Sequence, residues 1–276
     1  MTAFWRLFRR NRAAVLGLAV LGLVLVMAAA GPLLYRESAF ALVDKPFQMP
    51  FAGRWLLGTD MLGRDVLAGL VHGARTSLLI GLVATVAAVT FGVVMGGLAG
   101  YYGGWIDDLL MRTTELFQTI PSFIFAIVLV AVLSPSIHSV VLAIAVVSWP
   151  AMARLVRGEF MALRGREFVQ ASVAQGMGDA KIILVQILPN CLSPIIVTGS
   201  LMVATAILIE SGLSFLGLGD PNVMSWGFMI GAGRGVLRSA WWLCAIPGLA
   251  ILLTVLAINL VGEGLNDALN PRLRER

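Results

Sequence analysis

Two histidines, two cysteines and a thin scatter of charges are all that this 276-residue chain offers for chemistry. His72 and His138 stand alone, and no C-x-x-C or H-E-x-x-H spacing occurs, so neither a zinc site nor a histidine-based triad is expected. The only lysines are Lys45 and Lys181, and no G-x-x-x-x-G-K-[ST] loop is present, so the chain cannot cradle nucleotide phosphates by itself. No catalytic residue and no metal ligand is therefore assigned. Two other features could act. Glu210 is a carboxylate inside an otherwise apolar run, which costs ~2.5 to 3.5 kcal/mol at a bilayer centre and must face protein or water. It reads either as a structural tie, to Arg234, Arg238 or helix backbone, or as a residue lining a substrate route. The polar stretch Arg154 to Asn190 is the second feature. Within it, Arg166 to Gln175 has helical character with Val169, Val173 and Met177 at i, i+4 and i+8. Gly176 can end that helix in the left-handed conformation, Asp179 can cap the next, and Leu188-Pro189 marks a break. The expected product is a helix, a turn and a helix whose apolar stripe has no obvious partner within the chain and suits a groove on another protein, the alternative being a loop folded back under its own bundle.

These residues need a scaffold, and composition dictates its class. Hydrophobic residues make up 59% and charged residues 13%, against roughly 25% charged in soluble domains, with a mean hydropathy of +0.91. A soluble enzyme is excluded, and an all-α, multi-pass membrane protein is predicted. About 20 apolar residues cross a ~30 Å hydrocarbon core. Uncharged runs supply spans over 13–35, 76–106, 182–209 and 239–262, and the run 116–153 divides at Ser134-Pro135-Ser136 into two short ones. Six crossings put both termini on one side. Thirteen basic residues fall on that side (Arg6, Arg9, Arg10 and Arg12; Arg112; the 154–181 group; Arg272, Arg274 and Arg276) and seven on the other, so both termini are expected in the cytoplasm. This distribution also explains the pI of 9.9 without nucleic-acid binding.

The resulting organisation is a cytoplasmic N-terminus (1–12), a first span (13–35), an external segment (36–75) and a five-helix core (76–262). The core contains a cytoplasmic loop (158–190) and an external loop (219–238), and a cytoplasmic C-terminus follows (263–276). The uncharged N-terminal run is 23 residues, longer than the ~7 to 15 of a cleaved signal. Asp60 to Val71 is expected to form a short interfacial helix, and Trp241-Trp242 an interface anchor. Cys191 and Cys244 fall on opposite ends of their spans and cannot be bridged. Gly92-x-x-x-Gly96 and Gly96-x-x-x-Gly100 allow close helix approach. Asp107, Asp108, Arg112 and Glu115 have the spacing of intrahelical pairs.

The spacing Gln170-Ala171-Ser172, three residues, Gly176, nine residues, Gln186, one residue, Leu188-Pro189 resembles the E-A-A-x3-G-x9-I-x-L-P motif of ABC importer permeases. Leu57 to Asp65, Ala99 to Trp105, Leu213 to Gly219, Ser225-Trp226-Gly227 and Asn259 to Arg274 resemble the dipeptide, oligopeptide and nickel branch, in particular its second permease subunit. The likeness covers almost the whole chain. Gln170 stands for the motif's glutamate, Ser172 for its second alanine and Gln186 for its isoleucine. The first two keep size and helix compatibility, and Asp220-Pro221-Asn222 is less proline-rich than in many relatives.

This resemblance implies the type I ABC importer permease fold with six transmembrane helices. It implies a heterodimer with a homologous second permease in the bacterial inner membrane, two cytoplasmic ATPase subunits and an external substrate-binding protein. Gln170, Ala171, Ser172, Gly176, Asp179, Lys181, Leu188 and Pro189 would couple to the ATPases. No cofactor would be bound by this chain, and ATP and Mg would sit on the partner subunits. Short peptides are the implied cargo, with a nickel chelate or glutathione as alternatives. The rival reading is an ATP-independent channel or secondary transporter, against which stand the exposed helix-turn-helix and the scarcity of membrane carboxylates, and a purely structural membrane scaffold is a third.

Overall fold

The computed structural model describes residues 2–269; Arg272, Arg274 and Arg276, counted above toward orientation, lie outside it. Among the described residues all regular structure is helical apart from two isolated bridges, Leu42 with Arg64 and Thr59 with Asp65. Five helices are long and apolar enough to cross a membrane, and a bent pair supplies a sixth.

Helix α1 (Thr2–Arg10) leads through Asn11 into α2 (Arg12–Leu34). The Asn11 side chain accepts the Ala14 N–H at 3.0 Å and donates to Asp267 at 3.1 Å near the end of α11 (Trp242–Leu269). This pair holds the two described ends of the chain at one end of the bundle. Residues 36–65 form a folded loop at the other end. Trp55 donates to Asp44 at 3.0 Å, and Thr59 Oγ1 accepts from the Gln48 amide at 2.9 Å while donating to the Lys45 carbonyl at 2.7 Å. The Lys45 amide, then Gln48 and Trp55, hold the Asp44 carboxyl below its ordinary pKa. No separate helix occupies 60–71. Asp60 instead caps a turn through the Leu62 and Arg64 amides, and Asp65 caps α3 (Val66–Tyr102) through the Leu67 amide at 2.9 Å. The apolar spacing seen there in sequence is the first turn of the span itself. The Tyr35 hydroxyl donates to Asp65, joining the end of α2 to the start of α3.

Helix α3 runs 37 residues, ~55 Å at 1.5 Å per residue, and packs along α6 (Ile137–Arg164). Small residues make this possible. A Cβ on Gly92 would lie 2.7 Å from the Met152 Cβ, and one on Gly100 would lie 2.7 Å from the Arg157 carbonyl.

Helices α4 (Gly104–Gln118) and α5 (Ser122–Leu133) meet at 82° across Thr119-Ile120-Pro121, where the residue preceding proline is steered out of helical geometry. The turn at Ser134-Pro135-Ser136 follows, and Ser136 caps α6 by accepting from Ser139 at 3.2 Å. The Ile137 amide also donates to Asp220 at 3.2 Å. The expected intrahelical pairing on α4 is replaced by a tie between helices: Asp107 accepts from Nε and Nη2 of Arg157 on α6, at 2.5 and 2.6 Å. Of the two tryptophans expected to anchor the interface, Trp241 is exposed and Trp242 is buried beside Leu243 and Val66, because only one can face outward at the helix start.

Candidate functional site

Beyond α6 the chain turns through Gly165 and Arg166 into α7 (Glu167–Ala174), whose first-turn Glu167 complements the helix dipole. Gly176 ends α7 with φ +75°. Its amide donates to the Val173 carbonyl at 2.9 Å, and the Met177 amide donates to the Ser172 carbonyl at 3.1 Å, so two carbonyls of the last turn are satisfied. A Cβ at Gly176 would meet open space, so backbone conformation alone requires glycine here.

The second arm begins with α8 (Asp179–Lys181) and passes through a π-helical turn (Ile182–Ile187) into α9 (Leu188–Phe215). Two expectations are corrected here. Asp179 is the first residue of its helix, not the cap, a place taken by Gly178 in extended conformation. Leu188-Pro189 is no break, because Pro189 sits in the first turn of α9 and the preceding wide turn, with the Leu188 amide donating to Ile183, absorbs the missing N–H.

The hairpin is not a free lever. Val169 is 2% exposed and joins Met152, Phe160, Ile182, Ile187 and Cys191 in an apolar floor shared by α6, α7, the π turn and α9. Met177 and Leu188 pack against that floor, so the stripe expected to lack an internal partner divides in two. Phe168, Val173, Leu184 and Val185 face outward, between 40% and 61% exposed. Gln170, Ala171, Gly176, Asp179, Lys181 and Pro189 are exposed, whereas Ser172 is buried and donates to the Phe168 carbonyl at 3.0 Å. The Gln170 side chain donates to Gly165 at 3.3 Å, which closes the α6 to α7 turn.

Tyr101 at the end of α3 ties the second arm to the end of α6. Its hydroxyl donates to Asp179 at 2.9 Å, and its carbonyl accepts from Arg164 at 2.7 Å. Sequence reasoning missed this bracket. Its signal was the Tyr101-Tyr102 pair near the end of a charge-free run, followed by Gly103-Gly104.

Glu210 lies at the opposite end of the bundle and does not meet the hairpin. It is 2% exposed, and its Oε1 accepts from Ser214 at 2.9 Å and from Ser225 at 2.7 Å. Ser211 lies 3.4 Å from Oε2. Ser225 caps α10 (Trp226–Gly233) by accepting the Phe228 amide at 3.0 Å, so Glu210 fixes that short helix against α9. The arginines considered as partners are not used; Arg234 donates to the Phe215 carbonyl and lies over its ring. Trp226 completes the dock, its amide donating to Ser77 at 3.1 Å and its indole to the Leu70 carbonyl at 2.9 Å, both on α3.

Comparison with known proteins adds an independent line. Residues 88–275 match the family model described as binding-protein-dependent transport system inner membrane component, and residues 1–50 match the N-terminal TM domain of oligopeptide transport permease C. The chain is 42% identical to the di/tripeptide transport system permease protein DppC of Pseudomonas aeruginosa, covering 98% of this chain and 92% of that protein. It is 40% identical to the dipeptide transport system permease protein DppC of Bacillus subtilis, over 98% and 85% respectively. An inward-facing structure of the MetNI methionine ABC transporter superposes with a TM-score of 0.58 at 18% identity, covering 71% of this chain and 93% of that one.

Proposed function

The chain belongs to the binding-protein-dependent transport system inner membrane components, as a permease of the dipeptide and oligopeptide ABC branch in the bacterial inner membrane, and from that premise we propose that it carries short peptides inward, driven by separate ATPases. It works as one half of a heterodimer with a homologous second permease. Two cytoplasmic ATPase subunits, which bind ATP and Mg, dock on the 165–188 hairpin, and an external binding protein delivers peptide to the face carrying 36–65 and 219–238. The chain itself binds no cofactor, and its termini are cytoplasmic.

One observation carries the reading: the hairpin is built on the ends of α3, α6 and α9 while presenting Phe168 and Val173 outward. A two-state transporter needs an element whose displacement reaches several spans together. A hairpin floored by Val169, closed at Gly176 and bracketed by Tyr101 moves as a unit, and so conveys ATPase closure to three spans at once. The exposed Phe168 and Val173 supply the apolar contact that a protein groove takes up. Glu210 is a tie rather than a pore group in this reading, since its carboxylate is enclosed by serines.

The test is orientation and partnership together. Ser136→Cys and Asn222→Cys, in a background of Cys191→Ala and Cys244→Ala, should react with an impermeant thiol reagent outside sealed cells, and Gln175→Cys should not. A cross-linker on Val173→Cys should capture the ATPase subunits. External labelling of Gln175→Cys, or purification of a stable transport-active complex without ATPases, would refute the proposal.

A further inference from the structure

Arg75 is an unusual residue in this fold. It lies on α3 within the apolar bundle surface, it is exposed, and it has no hydrogen-bond or ion-pair partner among the described residues. Two apolar grooves open at this level, one lined by its neighbour Thr76 and the other by Arg75 itself. One, of about 430 Å³, runs between α3 and α6 from Thr76 and His138 down to Ala87 and Ala145. The other, of about 520 Å³, runs between α2 and α3 from Arg75 and Leu33 down to Leu82 and Leu25. Leu79 lines both and forms the ridge between them.

The level of these grooves is informative. Leu33 is in the last turn of α2 and His138 in the first turn of α6, so Arg75 sits where two neighbouring spans end. That is the depth of a phosphate, and a guanidinium there is a ready donor to it. From Thr76 to Ala87 is ~16 Å along the helix, and from Leu25 to Leu33 ~12 Å, at 1.5 Å per residue. Both lengths correspond to about half of a ~30 Å hydrocarbon core. A transmembrane helix from a partner would require a groove across the whole core, whereas the acyl chains of one lipid need only a leaflet.

We propose that this ridge is a binding site for an anionic glycerophospholipid, its phosphate held by Arg75 with Thr76 and His138 beside it and one acyl chain lying in each groove astride Leu79. The site would clamp the α2–α3–α6 wall on the side of the bundle that carries residues 36–65. It rests on the chain being a multi-pass membrane protein, and not on what that protein transports.

Native mass spectrometry of the purified complex, loaded with dioleoyl phosphatidylglycerol or dioleoyl phosphatidylcholine, reads the site. The parent should retain the anionic lipid about fivefold more than the zwitterionic one, the increment expected for one basic residue at a charged lipid surface. Arg75→Gln should abolish that preference, and Arg75→Lys should keep most of it. Arg54→Gln, in the loop, should have no effect. Unchanged lipid retention in Arg75→Gln, or a parent without preference, would overturn the proposal. A benzophenone maleimide on Val83→Cys, in the Cys191→Ala and Cys244→Ala background, should cross-link lipid. Its capture of the second permease instead would assign the groove to a subunit interface and overturn the proposal equally.

Discussion

Replacement of Glu210 separates charge from hydrogen bonding with unusual clarity. Ser214 and Ser225 both donate to Oε1, and each is less than 10% exposed. Ser211 gives its one proton to the Ile207 carbonyl at 2.8 Å, so its oxygen is left as an acceptor facing Oε2. A glutamine fits that pattern: its carbonyl accepts from Ser214 and Ser225, and its amide group donates to Ser211. Glu210→Gln should therefore unfold within about 1 kcal/mol of the parent. Alanine strands both donors. Ser214 can rotate toward its own helix backbone, but Ser225 lies outside a helix and has no such alternative. At about 1 to 3 kcal/mol per buried unsatisfied hydroxyl, Glu210→Ala should lose about 1 to 3 kcal/mol, mostly through Ser225 and the start of α10. Thermal unfolding of the purified complex measures both variants, and protection of the Ser225 region in hydrogen exchange localises the loss. Equal destabilisation by Gln and Ala would show that charge matters in itself and refute this reasoning, as would an Ala variant as stable as the parent.

Three further predictions address ties between elements. Tyr101→Phe removes the hydroxyl that reaches Asp179 and should cost under about 1 kcal/mol, because the bond is exposed, while lowering peptide taken up per ATP hydrolysed in vesicles. Arg157→Ala should leave Asp107 without its bidentate partner in a half-enclosed site; we expect a loss of about 1 to 3 kcal/mol in thermal unfolding, with Arg157→Lys in between. Asp44 has a depressed native pKa, so the stability it lends the 36–65 loop is complete above the unfolded carboxylate pKa and declines as pH falls through the lower native value. Protease sensitivity of that loop should accordingly rise only in strong acid, and Asp44→Asn should remove the dependence.

The spans were legible because a bilayer forbids charge over about 20 residues, a constraint written directly in runs such as Ala13 to Tyr35. The six-span, all-helical class follows from it. Gly176 was legible for a similarly local reason, since a helix stop in left-handed conformation selects glycine. What could not be read was pairing between elements distant in sequence. Tyr101 with Asp179, Arg157 with Asp107, and Glu210 with Ser225 depend on helix rotation, which charge-free spacing does not encode. Pro189 misled for another reason: proline ends most helices, yet a preceding π turn lets the helix continue. Asp60 to Val71 misled because helical spacing identifies a helix without saying where its first turn belongs, and Asp65 begins α3 only at Val66.

The central claim is that the 165–188 hairpin transmits ATPase closure to the spans. Proline at position 176 cannot adopt φ +75° and loses the amide that binds Val173, and arginine at position 179 loses the acceptor for Tyr101 and opposes the helix dipole. The decisive measurement is peptide-stimulated ATP hydrolysis and uptake in vesicles containing the whole complex with Gly176→Pro or Asp179→Arg. The account predicts an assembled permease pair in which stimulation and uptake fall together; normal stimulation and uptake with both variants would contradict it.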